Sequence, residues 1–183
     1  MTGHVLTPHR SCAQLLAGLT VTASVELAPA NMLRFEYGLT GELAQLAIPR
    51  RALSQCAARL WEHTCFEAFV ATGPGARYCE LNFSPSSEWA AYEFDDYRQG
   101  MRALALTGPP RIAVAKTRSE LRVTASMAIR ELAEAPWPWR VGLTAVVEDR
   151  AGRHSYLALR HPRDNPDFHD AAGFAVSLEG SAR

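Results

Sequence analysis

From residue 19 onward the chain is written in short runs whose side chains alternate between apolar and polar, each closed by glycine, proline or small polar residues. Alternation with a period of two places every second side chain on the same sheet face. Turn signals recur about every eight to twelve residues, and no long stretch carries the period of an amphipathic helix. The spacing predicts an antiparallel hairpin over 19–28 and 31–40, turning at Pro29-Ala30. A short strand is expected at 43–48, a loop or helical turn at 54–60, then strands at 64–71, 77–83 and 88–94. A short helix fits 101–106. Further strands are expected at 111–116 and 120–129, at 139–148 and 154–159, and at 174–178 after a polar loop over 161–173. Residues 11–18 fit a helical turn or a strand. The pattern predicts an all-β, single-domain antiparallel β-sandwich spanning residues 1–183, with a jelly-roll-like arrangement.

Charge narrows the partners. Nineteen basic and nineteen acidic residues cancel, whereas nucleic acid and anionic membranes select a basic excess. No apolar run reaches the roughly eighteen residues of a membrane span, and the N-terminus lacks a basic segment leading into a continuous apolar one. A cytoplasmic protein is therefore expected. Cys12, Cys56, Cys65 and Cys79 form no C-x-x-C pair and are expected to be free thiols, with Cys79 a small core residue. Trp137 and Trp139 flank Pro138, which suggests a sheet-edge segment packing over the sandwich.

The densest chemistry lies between Trp61 and Arg98. If the turn at 73–76 caps a hairpin with Phe69 opposite Glu80, then Cys65, Glu67 and Phe69 share a face with Glu80, Asn82 and Ser84. Phe66, Ala68, Val70, Cys79, Leu81 and Phe83 then share the other face, which is apolar and must be core. The polar face either meets water like any half-exposed sheet or forms a ligand platform. Glutamate and asparagine are poor strand formers, and like charges close across a strand pair repel. Two glutamates on one face thus call for compensation by Arg98 or Arg102, a cation, or a hydroxyl-rich ligand.

Three segments carry a resemblance to a known family: LWEHTCFEAFV, YCELNFSPSSEWAAYEFDDYRQGM and SYLALRHPRDNPDFHDAAGF. Here the chain resembles bacterial DOMON-like proteins related to the family 9 carbohydrate-binding modules. The resemblance implies a β-sandwich in which two aromatic side chains clamp a sugar while acids, amides and arginines bind its hydroxyls. It places Trp61 six residues before Glu67, as in those relatives, and makes Asn165 and Phe168 similar to their asparagine and second aromatic. The acidic pair usual before this strand is replaced by His63-Thr64, which weakens any calcium site, and Leu157 stands where similar chains carry a tryptophan.

Signatures of common enzymes are missing: there is no G-x-S-x-G, H-E-x-x-H, P-loop or G-x-G-x-x-G. His161, Asp167 and His169, with Asp164 and Asp170, gather metal-ligating side chains in one loop, but their spacing matches no standard site. Some DOMON relatives bind haem; Met101, Met127 and His161 offer axial side chains with no pairing logic. No cofactor is expected. The reading is a non-enzymatic protein that binds a carbohydrate or similar small ligand through Trp61, Glu67, Glu80, Asn82, Trp89, Arg98, Asn165 and Phe168. The alternatives are a glycoside hydrolase using Glu67 and Glu80, and a protein-interaction module with a flat apolar patch.

Overall fold

The computed structural model describes residues 3–12, 18–28, 32–73, 75–128 and 136–180. Most of the expected element over 11–18 lies outside them, as do Pro29-Ala30, Asn31, Pro74 and Ile129. Among the described residues every named strand pairing is antiparallel, and the strands form two sheets.

The first sheet contains β1 (His4–Val5), β3 (Thr20–Ala28), β4 (Met32–Thr40), β9 (Arg111–Lys116) and β10 (Glu120–Ala128), in the order β1-β3-β4-β10-β9. The second runs β2-β12-β11-β5-β6-β7-β8. Its strands are β2 (Thr7–Pro8), β5 (Cys65–Thr72), β6 (Tyr78–Phe83), β7 (Trp89–Phe94), β8 (Arg102–Ala103), β11 (Trp139–Glu148) and β12 (His154–Ala158). The last strand, β13 (Val176–Leu178), pairs with the start of β11, while β12 pairs with its end. The two therefore lie in succession along one edge of β11, and β5 occupies the other edge.

The sheets face each other across a core supplied by every second residue. Phe66, Ala68 and Val70 of β5 and Cys79, Leu81 and Phe83 of β6 meet Leu33, Phe35, Tyr37 and Leu39 of β4 and the apolar side of β10. Ring contacts tie the layers together, Phe35 to Phe83 at 5.4 Å and Tyr37 to Phe66 at 4.9 Å. The Tyr37 hydroxyl reaches across and donates to the backbone carbonyl of Glu67 at 2.6 Å. This sandwich is the architecture that the alternation predicts.

Three expectations change. Residues 43–48 hold a 3-10 turn at Leu43–Gln45 and a single bridge from Leu46 to Asp149 instead of a strand. The segment expected to be helical at 101–106 instead supplies β8, an edge strand on β7. Trp139 is not an edge residue: it is fully buried in the inter-sheet core, on a strand paired on both sides. Pro138 sits just before that strand, where no ladder N–H is required, and the Trp137 ring stacks on Trp139 at 4.0 Å.

Candidate functional site

The outward face of the second sheet is where the chemistry collects. Phe69 pairs with Glu80 and Glu67 with Asn82, the register that a cap at 73–76 dictates. That register makes Glu67 and Glu80 diagonal neighbours, not directly opposed ones. The face is not solvated: Glu67 is 3% exposed, Glu80 5% and Asn82 0%.

The cover comes from the loop over 161–173 and the residues after it. Phe174 stacks on Phe69 with centroids 5.8 Å apart, and Phe168 meets Phe69 edge-on at 6.4 Å. Gly142 of β11, opposite Phe69, makes room: a Cβ there would sit 2.7 Å from the Phe174 ring. A glycine inside a strand often marks such a close approach. His169 fits between aromatic rings, 5.1 Å from both Phe69 and Phe94.

Between sheet and cover lies a cavity of about 350 Å³, lined by Trp61, Phe69, Phe94, Tyr156 and Phe168, by Glu67, Glu80, Arg98 and His169, and by Met101, Val146 and Pro166. Trp61 arrives on a 3-10 turn, Leu60–Glu62, whose preceding residue Arg59 is left-handed at φ 61°. Its ring meets Tyr92 edge-on at 5.9 Å. Arg98 is also left-handed, at φ 54°, in a tight turn closed by the Asp95 and Gln99 backbones. Gly100 completes that turn at φ 67°, where a Cβ would collide with the Asp95 carboxylate. Non-glycine residues in this backbone region are strained and collect at functional sites.

The electrostatics follow from burial. Glu67 is held well above its ordinary carboxyl value, first by loss of water and then by the nearby Glu80 charge, with Thr144 working against both. Its Oε1 has no hydrogen-bond partner. Glu80 is also raised by burial, less so because Asn82 and Arg98 favour its charge; Asn82 Nδ2 donates to Glu80 Oε1 at 2.7 Å. Of the two, Glu67 is pushed further towards its protonated form. Burial and the Arg98 charge push His169 down to about 4, so it is neutral. The Arg98 backbone N–H donates to the Tyr78 hydroxyl at 3.1 Å, and that hydroxyl is 2.8 Å from His169 Nδ1. The other ring nitrogen, Nε2, lies 3.8 Å from Glu80 Oε2. With a neutral imidazole that approach is a dipolar contact and not an ion pair.

Arg98 faces the carboxyls but is already engaged, its guanidinium donating to Asp167 at 3.0 Å. Arg102, the other arginine considered as a partner for the glutamates, turns to Glu93 and Asp95 instead. Five of the eight residues expected at the site line the cavity: Trp61, Glu67, Glu80, Arg98 and Phe168. Asn82 lies behind the lining and orients Glu80. Trp89 is placed elsewhere, since β7 turns it to the core side with Phe83. Asn165 is exposed on the loop and outside the lining. Tyr156, Phe94 and Val146 line the cavity without having been singled out. Strand alternation alone places Tyr156 opposite Val146, on the face of Glu67.

The metal-type side chains of the loop have other work. His161 Nε2 donates to the Thr7 carbonyl at 2.7 Å, and Asp167 accepts from Arg98 and Tyr97. Among the described residues no group of three or more His, Cys, Asp or Glu is placed to hold a metal ion. Met101 lines the cavity, Met127 lies in the inter-sheet core and His161 borders a separate depression, so the three form no common axial site. His63 and Thr64, where an acidic pair is usual, pin the strand: His63 hydrogen-bonds Glu148 at 2.8 Å and Thr64 donates to the Ala47 carbonyl at 2.9 Å. No helix among the described residues is long and apolar enough to cross a membrane.

This is the fold of the family 9 carbohydrate-binding modules and their relatives. A candidate carbohydrate-binding protein from Bacteroides uniformis superposes with a TM-score of 0.69 at 11% identity, over 94% of this chain and 84% of that one. A family 9 carbohydrate-binding module from Caldicellulosiruptor kristjanssonii, solved with glucose, superposes with a TM-score of 0.51 at 10% identity, over 90% of this chain and 78% of its own. No protein-family profile matches the chain, and no curated protein sequence matches it.

Proposed function

We propose that this chain binds a small polyhydroxylated ligand, one sugar ring or the end of a short oligosaccharide, in the cavity floored by Glu67 and Glu80. The observation that carries the reading is the orphaned Glu67 Oε1, 3% exposed as a residue and bordering a cavity walled by aromatic rings. A buried oxygen without a partner is costly, and a ligand hydroxyl would satisfy it. The aromatic walls suit the C–H faces of a pyranose. The volume sits at the small end of ligand pockets and fits one ring better than several. The fold likeness to a module solved with glucose supports the same reading.

Thermal-shift and calorimetric screens over mono- and oligosaccharides, repeated with Trp61→Ala, test it. Stabilisation by at least one sugar that weakens in the variant is expected. No response to any sugar, or one indifferent to the substitution, overturns the proposal.

One observation favours hydrolysis: burial raises two neighbouring carboxyls to different extents, Glu67 further than Glu80. Glycosidase carboxyls, however, flank the scissile bond from two sides, whereas these two rise from adjacent strands of one floor. Turnover of nitrophenyl glycosides that vanishes in both Glu67→Gln and Glu80→Gln would replace binding with catalysis. A docking module fits less well, because the large apolar side chains left exposed among the described residues, Val5, Leu53, Tyr97 and Met101, belong to separate segments.

A further inference from the structure

The cavity's charge balance says more about its ligand than its shape does. Glu67 and Glu80 share one buried floor, and among the described residues the only guanidinium lining the cavity, that of Arg98, is held by Asp167. The Asp167 side chain is 8% exposed against 51% for Arg98, so this pairing is anchored on the buried carboxylate and is no free cation waiting for the glutamates. His169 brings a neutral ring. The Cys65 thiol and the Tyr37, Tyr78 and Tyr92 hydroxyls packed against the floor are raised by burial and stay neutral, so none of them adds a charge there. The cavity thus pairs excess acid with a carboxyl oxygen that has no protein partner, inside walls of aromatic rings.

Resting on the sugar-binding reading above, we propose that the ligand of this cavity carries an ammonium group, so that the site prefers amino sugars with a free amine over neutral or N-acetylated sugars. An ammonium donates three hydrogen bonds and would serve Glu67 and Glu80 together. The faces of Trp61, Phe69, Phe94, Tyr156 and Phe168 attract a cation as well as they receive a pyranose. N-acetylation removes the charge and adds bulk. A uronic acid would place a third carboxylate on the floor.

The proposal has a proton signature. Burial and the Glu80 charge favour the protonated form of Glu67, and an ammonium arriving beside it favours the ionised carboxylate, so binding drives proton release. Affinity then rises with pH through the Glu67 titration and falls again where the amine loses its own charge. A neutral sugar brings no charge to drive that release.

Calorimetric titration of the whole protein with glucosamine, glucose and N-acetylglucosamine, in buffers of different ionisation enthalpy, reads both predictions. Glucosamine binding on the order of tenfold tighter than the other two is expected, with protons released in the wild type and fewer in Glu67→Gln. The wild-type buffer comparison needs no variant to fold. Glucose binding as tightly as glucosamine, or glucosamine binding without proton release, overturns the inference and leaves the sugar-binding reading standing. Binding of none of the three overturns the inference, and the wider screen of mono- and oligosaccharides then decides the sugar-binding reading.

Discussion

The outward faces of the two sheets carry the same residue types at the same alternating positions and have opposite fates. On the first sheet Glu26, Glu36 and Glu120 stand among Arg34 and Arg122, within 3.8 Å for Arg34 to Glu26, 3.7 Å for Arg122 to Glu36 and 2.7 Å for Arg122 to Glu120. These pairs are solvated, and each contributes little. On the second sheet Glu67 and Glu80 have no basic residue on their own strands, and a loop seals them in with aromatic rings. A glutamate on a strand is thus decoration or machinery according to what lies above it. Glu36 and Glu120 each have an arginine two residues away on their own strand, whereas Glu67 and Glu80 have none.

Four measurements would break or sharpen this contrast. Phe69→Ala should have the largest effect, because on a covered face it removes a packed ring instead of a surface side chain. A loss of about 3–5 kcal/mol in denaturant unfolding is expected, and a loss below about 1 kcal/mol would mean that the cover does not pack. Next, Trp61→Ala should weaken sugar binding on the order of tenfold while leaving the melting temperature nearly unchanged, since stacking at a half-buried site contributes roughly 1 kcal/mol.

Third is Glu67→Gln, whose effect depends on pH. The folded value of Glu67 lies above its ordinary 4.5, so the wild type is favoured below that pH and loses stability as pH rises towards the folded value. His169 works the other way: its folded value of about 4 lies below its ordinary 6.5, so stability rises with pH across that window. The variant should therefore match the wild type in acid and exceed it near neutral pH by about 1 kcal/mol or more. Its stability should climb from pH 4 to 6.5 more steeply than the wild type's. A parallel pair of curves would show that Glu67 is ionised in the folded protein. Last, Glu36→Gln on the solvated face should change stability by less than about 0.5 kcal/mol at any of these pH values.

The hairpin register was legible because alternation leaves few choices: Phe66, Ala68, Val70, Cys79, Leu81 and Phe83 admit only one buried side, which places Glu67 on the other. The covering loop was not legible, since loops have no periodicity to read. Phe168 was reached through a family resemblance, while His169 was noticed only as a possible metal ligand and proves to be a neutral ring among aromatic neighbours. Trp89 was expected among the ligand contacts, whereas its strand parity puts it on the core side with Phe83. Trp139 misled because a proline precedes its strand and suggests the sheet's border.

The placement of β12 and β13 along one edge of β11 bears on how such a molecule can be altered. Both ends of the capping loop are stitched to the same strand, so the segment leaves the scaffold and rejoins it without crossing either sheet. It is an interchangeable cassette. Loops of other length and composition can be grafted between the same two anchors while the ladder beneath keeps its register, and a library built there would vary the roof of the cavity over a constant acidic floor.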